Sequence, residues 1–196
     1  MWMSDKPLNQ QRLARDLADL LTVLKGDDNL IGFMDAFWKT VAREWSGIDA
    51  LRMDKYLYLV RCYLSKGFEV VSRNAWRDDE LIERYLEVLE ATPVDARNAR
   101  IPNGLRFHVV DIFVDELDKV DTERTAPLEK ILAPMRKLGK ETITKAVRLR
   151  VKEALEDERL QDWQGLRSEE AGGSDSDAAM HGVDGDEEDE FGGFED

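Results

Sequence analysis

Apolar residues recur three and four positions apart along most of the first 158 residues, a period that predicts helices almost throughout. Leu13, Leu17, Leu20, Leu21 and Leu24 define the first helix, with Pro7 suited to its opening turn and Gly26 to its stop. Leu30, Phe33, Met34, Phe37, Trp38, Val41 and Trp45 define a second, closed by Ser46-Gly47. A third, from about Asp49 to Lys66, carries Met53, Tyr56, Leu57, Val60, Tyr63 and Leu64 on one face. Its other side holds Leu51, Tyr58, Leu59 and Cys62, and a helix apolar nearly all round belongs at the centre of a fold.

A short helical segment at 68–74 and a turn at 75–78 are expected next, then a helix from about Asp79 to Ala91 that stops at Thr92-Pro93. The polar connection Asp95–Arg100 leads through Ile101-Pro102-Asn103-Gly104 into the strongly apolar run Leu105–Leu117. A helix opening at Pro127 is interrupted at Gly139 and continues over Lys140–Glu158. No convincing period-two alternation occurs, so the body reads as all-α. Short turns favour antiparallel neighbours, giving hairpins that begin near residues 8, 49 and 104. That spacing suits a HEAT-like or irregular α-solenoid array, with a compact helical array as the alternative.

Charge divides the chain. The 196 residues hold 28 Lys+Arg against 42 Asp+Glu, a net charge of -14. Residues 168–196 hold 12 acidic residues and no Lys or Arg, which leaves a nearly neutral body of 28 basic and 30 acidic groups. The expected organisation is a helical domain over 1–158, a linker over 159–167 and a disordered acidic tail over 168–196. The tail is rich in Gly, Ser and Asp and buries too little apolar area to offset its ordering entropy. One cysteine, Cys62, cannot form an internal disulfide, and two histidines are too few for a Cys/His zinc cluster. Uncharged stretches such as Asn29–Met34 are far too short to span a bilayer, and MWMSDKPLNQ has no signal-peptide pattern. The sequence therefore reads as intracellular and soluble, with no membrane partner.

Catalytic motifs are lacking: there is no Walker loop, dinucleotide fingerprint or nucleophile elbow. Cys62 has no activating histidine nearby in the pattern and reads as a packed mid-helix thiol. His108, Asp111 and Asp115 share one helical stripe that could in principle face a metal. The simpler reading is a polar edge whose carboxylates meet Arg100 or Arg106, so no metal and no cofactor is expected.

The basic residues cluster. Between Arg136 and Lys152 lie Arg136, Lys137, Lys140, Lys145, Arg148, Arg150 and Lys152 against the single acid Glu141. Arg136, Lys137, Lys140, Lys145, Arg148 and Lys152 are the candidate RNA- or phosphate-binding residues, because such an array can neutralise a phosphate backbone. A solvated face of an amphipathic helix is the competing reading. The tail solubilises the chain, engages basic partners such as ribosomal proteins, or shields the basic face. Ser174, with Asp177 three positions on, is a candidate phosphorylation site for acidophilic kinases.

Two stretches are more specific than generic helix. Gly32–Leu64 (GFMDAFWKTVAREWSGIDALRMDKYLYLVRCYL) and Ile101–Val120 (IPNGLRFHVVDIFVDELDKV) resemble the nucleolar ribosomal-RNA-processing family known as Nop-fifty-two or Rrp-one. The resemblance covers roughly residues 1–158, takes in MWMSDKPL, and rests on Phe37, Trp38, Glu44, Trp45, Gly47, Ile48, Asp49, Arg52, Asp54 and Lys55. In the second stretch, Gly104, Arg106, His108 and Asp111 carry it.

That resemblance implies a HEAT-like, non-enzymatic assembly factor of the large ribosomal subunit, resident in the nucleolus of the nucleus. Its implied partners are pre-ribosomal RNA and factors of the Brix-domain and WD-repeat types. In that family a segment like MWMSDKPL lies internally, so about one N-terminal hairpin is expected to be absent here. An acidic tail also stands where some relatives carry a long basic extension. The competing function is an α-helical adaptor or histone-type chaperone that binds basic proteins through the tail.

Overall fold

A computed structural model describes residues 1, 3, 4 and 6–164; Trp2, Asp5 and residues 165–196 fall outside it. The expected disordered tail and Ser174 therefore lie outside the described residues. Among those described there are eight α-helices and two short 3-10 helices, and no strand. The helices are α1 (Pro7–Val23), α2 (Asp27–Glu44), α3 (Met53–Ser72), α4 (Asp79–Ala91), α5 (Asn103–Val120), α6 (Leu128–Ile131), α7 (Ala133–Glu141) and α8 (Lys145–Leu155). Trp45–Gly47 and Glu158–Gln164 form the 3-10 helices η1 and η2. No described helix is long and apolar enough to cross a membrane.

The helices stack in two layers. α1 packs on α3, α3 on α5 and α5 on α8, while α2 packs on α4 and α4 on α7. Side-chain pairs show the direction within a layer. Lys55 Nζ donates to the Ser4 carbonyl, Tyr63 Oη to that of Leu17, and Lys66 pairs with Asp19, so α1 and α3 run parallel. Lys130 of α6 pairs with Glu83 and Lys137 of α7 with Glu90, so the α6–α7 segment runs parallel to α4. Parallel neighbours within each layer are what successive antiparallel hairpins produce, the HEAT-like arrangement. The hairpins start at α1, α3 and α5, close to the expected points.

α3 is central, as its all-round apolar pattern predicts, burying Leu59, Val60, Tyr63, Leu64, Phe68, Val70 and Val71. It does not break after Lys66 and absorbs most of the segment expected to be separate. Gly67 is a packing residue there: a Cβ on it would lie 2.2 Å from the Tyr85 hydroxyl of α4. Gly139 likewise does not interrupt its helix; it admits Val151 of α8, and the true break comes at Thr142–Thr144. The one-turn α6 is separated from α7 by Leu132, where Pro134 near the start of α7 lacks the N–H a continuous helix would need.

The packed body also extends beyond the expected linker boundary. η2 buries Leu160, and Trp163 Nε1 donates to Asp121 Oδ2 at 2.6 Å. Trp76, buried in the α3–α4 turn, donates to Asp121 Oδ1 at 3.2 Å. Ala75 and Trp76 both have left-handed backbone, with φ of 52° and 57°, and the buried indole offsets that strain.

Candidate nucleic-acid interface

The residues that carry the family resemblance prove to be architectural. Trp38 is 1% exposed, and Phe37 stacks on Tyr63 with centroids 3.5 Å apart. Trp45, buried in η1, lies across the first turn of α5, where a Cβ on Gly104 would stand 2.9 Å from its Nε1. This close approach joins the two distinctive sequence stretches. Asp49 closes the turn before α3: its Oδ1 accepts the Arg52 N–H at 3.0 Å and its Oδ2 pairs with the Arg52 guanidinium. Lys55 is buried and fastens α3 to the chain before α1. Beside these residues an apolar hollow of about 470 Å³ opens between Phe37, Val41, Ile48, Tyr56 and Leu59.

Arg106 is 5% exposed, and no carboxylate hydrogen-bonds to it. Its guanidinium instead donates to the carbonyls of Asp95 (2.8 Å), Asn98 (2.7 Å) and Ile101 (2.5 Å), and to Asn103 Oδ1 (3.0 Å). One buried fork thus holds the whole α4–α5 loop from inside. Burial pulls its pKa below the ordinary arginine value, against the nearby Asp95 charge.

The His108, Asp111 and Asp115 stripe disperses among separate partners. His108 Nε2 donates to the Leu57 carbonyl at 2.9 Å, and burial lowers its pKa despite that bond. Asp111 pairs with Arg150, and Asp115 with Arg61 and Arg159. The expected Arg100 and Arg106 partners are thus replaced by residues from α3, α8 and η2. Among the described residues no group of three or more His, Cys, Asp or Glu is arranged to hold a metal ion. The Cys62 thiol is half-buried, and desolvation raises its pKa, disfavouring the nucleophilic thiolate.

The basic run is sorted by the fold into engaged and open groups. Arg136 forks onto Glu129, Lys137 meets Glu90, Arg150 meets Asp111 over the Phe107 ring, and Lys152 lies 3.6 Å from Glu156. Among the described residues, exposed Lys140 and Lys145 have no carboxylate partner, and Arg148 donates only to the Thr142 carbonyl, at 2.8 Å. These three flank the α7–α8 loop, which faces the α4–α5 loop across a hollow of about 250 Å³. By its sequence the Asp95–Arg100 connection reads only as polar. The structure turns Arg97 and Arg100 outward on it, Arg97 reaching Glu141 at 3.0 Å.

The family description "Nucleolar protein, Nop52" matches residues 1–191. The chain belongs to the Nop52 family. Human ribosomal RNA processing protein 1 homolog B is 43% identical over 120 residues, covering 61% of this chain and 16% of that protein. Human homolog A is 39% identical over 123 residues, covering 63% and 26%. The homolog from Caenorhabditis elegans is 31% identical over 118 residues, covering 60% and 29%. This Nop52 chain therefore spans less than a third of the length of each of these relatives.

Proposed function

We propose that this chain acts in ribosomal RNA processing during ribosome biogenesis, as a non-catalytic nucleolar scaffold of large-subunit precursors. The observation that carries the reading is membership of the Nop52 family, whose relatives above are named for ribosomal RNA processing. The packing supports a scaffold. The polar groups on the α5 stripe are tied into helix contacts: His108 to Leu57, Asp115 to Arg61 and Arg159, and buried Glu116 to Arg61 at 2.6 Å.

On this reading the helical layers offer a rigid surface to pre-ribosomal RNA and neighbouring factors, the Brix-domain and WD-repeat types among them, and to basic ribosomal proteins. Binding energy and geometry are its contribution, while cleavage is done by other enzymes. The test is sedimentation of the full chain from nucleolar extract. Migration with large-subunit precursors that collapses on RNase treatment supports the scaffold. RNase-resistant association with histones would support the chaperone reading instead, and turnover of RNA by the pure chain would overturn both.

A further inference from the structure

We propose that the corner where the α4–α5 loop meets the α7–α8 loop is a clamp for the phosphate backbone of RNA, with Arg97 and Arg100 on one lip and Lys140, Lys145 and Arg148 on the other. The proposal rests on the ribosomal-RNA reading above and gives that reading a place on the molecule.

The first argument is electrostatic sorting. Of the seven basic residues between Arg136 and Lys152, four are held by Glu129, Glu90, Asp111 and Glu156. The three that remain, Lys140, Lys145 and Arg148, all border Thr142–Thr144. Arg148 is oriented by its bond to the Thr142 carbonyl, which leaves its remaining N–H groups for another acceptor.

The second argument is the facing loop. Thr142, Ile143 and Thr144 line one hollow together with Arg97, Asn98, Pro102 and Arg106. Arg100 is exposed on the same loop, and Arg97 is 80% exposed in its side chain even while paired with Glu141. Two carboxylates accompany this set. Asp95 already accepts the N–H groups of Arg97 and Asn98, and Glu141 is shared with Arg97. With Lys137 and its partner Glu90 alongside, seven cations, counting buried Arg106, thus stand against three anions in one corner of a body that is close to neutral.

The third argument is rigidity. Arg106 fixes the carbonyls of Asp95, Asn98 and Ile101, so the loop that displays Arg97 and Arg100 is already set before a ligand arrives, which lowers the ordering cost of binding. Arg106 is here a positioning residue. Ile143, 93% exposed at the tip of the opposite lip, adds an apolar contact suited to a ribose or an unstacked base. Guanidinium forks match phosphate oxygens in pairs, and ammonium groups add point charge.

The test uses the full chain and a fluorescein-labelled single-stranded RNA of mixed sequence, followed by anisotropy across a salt series. Arg100→Glu combined with Lys145→Glu changes one exposed cation on each lip that has no carboxylate partner among the described residues. Arg12→Glu combined with Lys25→Glu makes the same charge change on exposed residues around α1. The corner variant is expected to bind about tenfold more weakly at low salt and to flatten the dependence of log K on log salt by about 1.4, two phosphate contacts' worth. The α1 variant should move both quantities far less.

Equal effects of the two variants, wild-type binding by the corner variant, or no RNA binding by the wild-type chain would overturn the clamp. Circular dichroism of both variants, and Arg100→Gln with Lys145→Gln, separate lost binding from lost folding. Sedimentation of the same proteins separates the two levels. If the wild type still migrates with large-subunit precursors while the corner variants bind RNA normally, the clamp fails and the family-level reading stands. If the wild type never does, that reading fails.

Discussion

At Gly104 the absence of a side chain matters more than any chemistry the residue could bring. The buried Trp45 indole stands 2.9 Å from where a Cβ would be, so an added methyl forces the ring or the first turn of α5 to shift. Gly104→Ala is expected to lower stability by about 1–3 kcal/mol, read as a lower urea midpoint with an unchanged slope. A midpoint equal to wild type would show that Trp45 swings aside freely.

His108 gives a second test at the same scale. Burial lowers its pKa in the folded protein below the unfolded value of about 6.5, so the unfolded chain binds the proton first as pH falls. Stability should therefore be intact above about pH 6.5 and decline below it, until the folded form also protonates. It is the single histidine among the described residues, which makes the effect separable. His108→Gln retains a donor for the Leu57 carbonyl and should flatten that part of the stability profile; an unaltered profile would assign the dependence elsewhere.

Among the elements, η2 and the α5 C-terminus are joined through Asp121. Its carboxylate accepts from Trp76, Trp163, the Thr125 N–H and hydroxyl, and the Ala126 N–H. Burial alone would raise its pKa, but these donors together outweigh that and hold it below the usual aspartate value. Its contribution is thus complete above about pH 4, the unfolded value, and is lost as pH falls through the lower folded one. Asp121→Ala leaves two indole donors and buried backbone N–H groups without an acceptor, and should cost about 3 kcal/mol, with earlier loss of tryptophan fluorescence in an acid titration. Unchanged stability would mean that η2 is docked by Leu160 alone.

These elements also show what a linear sequence can and cannot convey. The 3.6-residue period of α1 to α5 is local, so the helices and the central place of α3 were legible. Gly139 reads as a break in the sequence because the residue that needs its empty space, Val151, comes from another helix, and the packing role of Gly67 is hidden for the same reason, since Tyr85 lies on α4. The basic run was visible, yet its division was not, since Glu90, Asp111 and Glu129 meet it only through the fold. Arg97 and Arg100 were missed for the same reason. Their one local signal was two arginines in a short polar connection, and the anchor that turns them outward, Arg106, follows later in the chain.

For the molecule as a whole, two parallel-stacked helical layers engage many charged side chains with one another and bring five exposed cations, Arg97, Arg100, Lys140, Lys145 and Arg148, to the two loops at one corner. The apolar hollow by Phe37 and Tyr56 lies with the family-motif residues, on the α2–η1–α3 side. The acidic segment 168–196, with 12 acidic residues and no Lys or Arg, supplies most of the net charge of -14. The bulk charge is thus a poor guide to what the body attracts, and on the proposed reading the local field at the two loops is what an RNA backbone would meet.

The central claim is that this helical body touches precursor ribosomal RNA through the corner between its two loops. Ultraviolet crosslinking of the full chain in purified large-subunit precursors, reading both the attached RNA and the attached peptide, tests it most directly. The account predicts large-subunit precursor sequence joined to peptides from 96–106 or 140–148. Particles in which the chain is present but crosslinks only to protein, or to RNA through other surfaces, would contradict it.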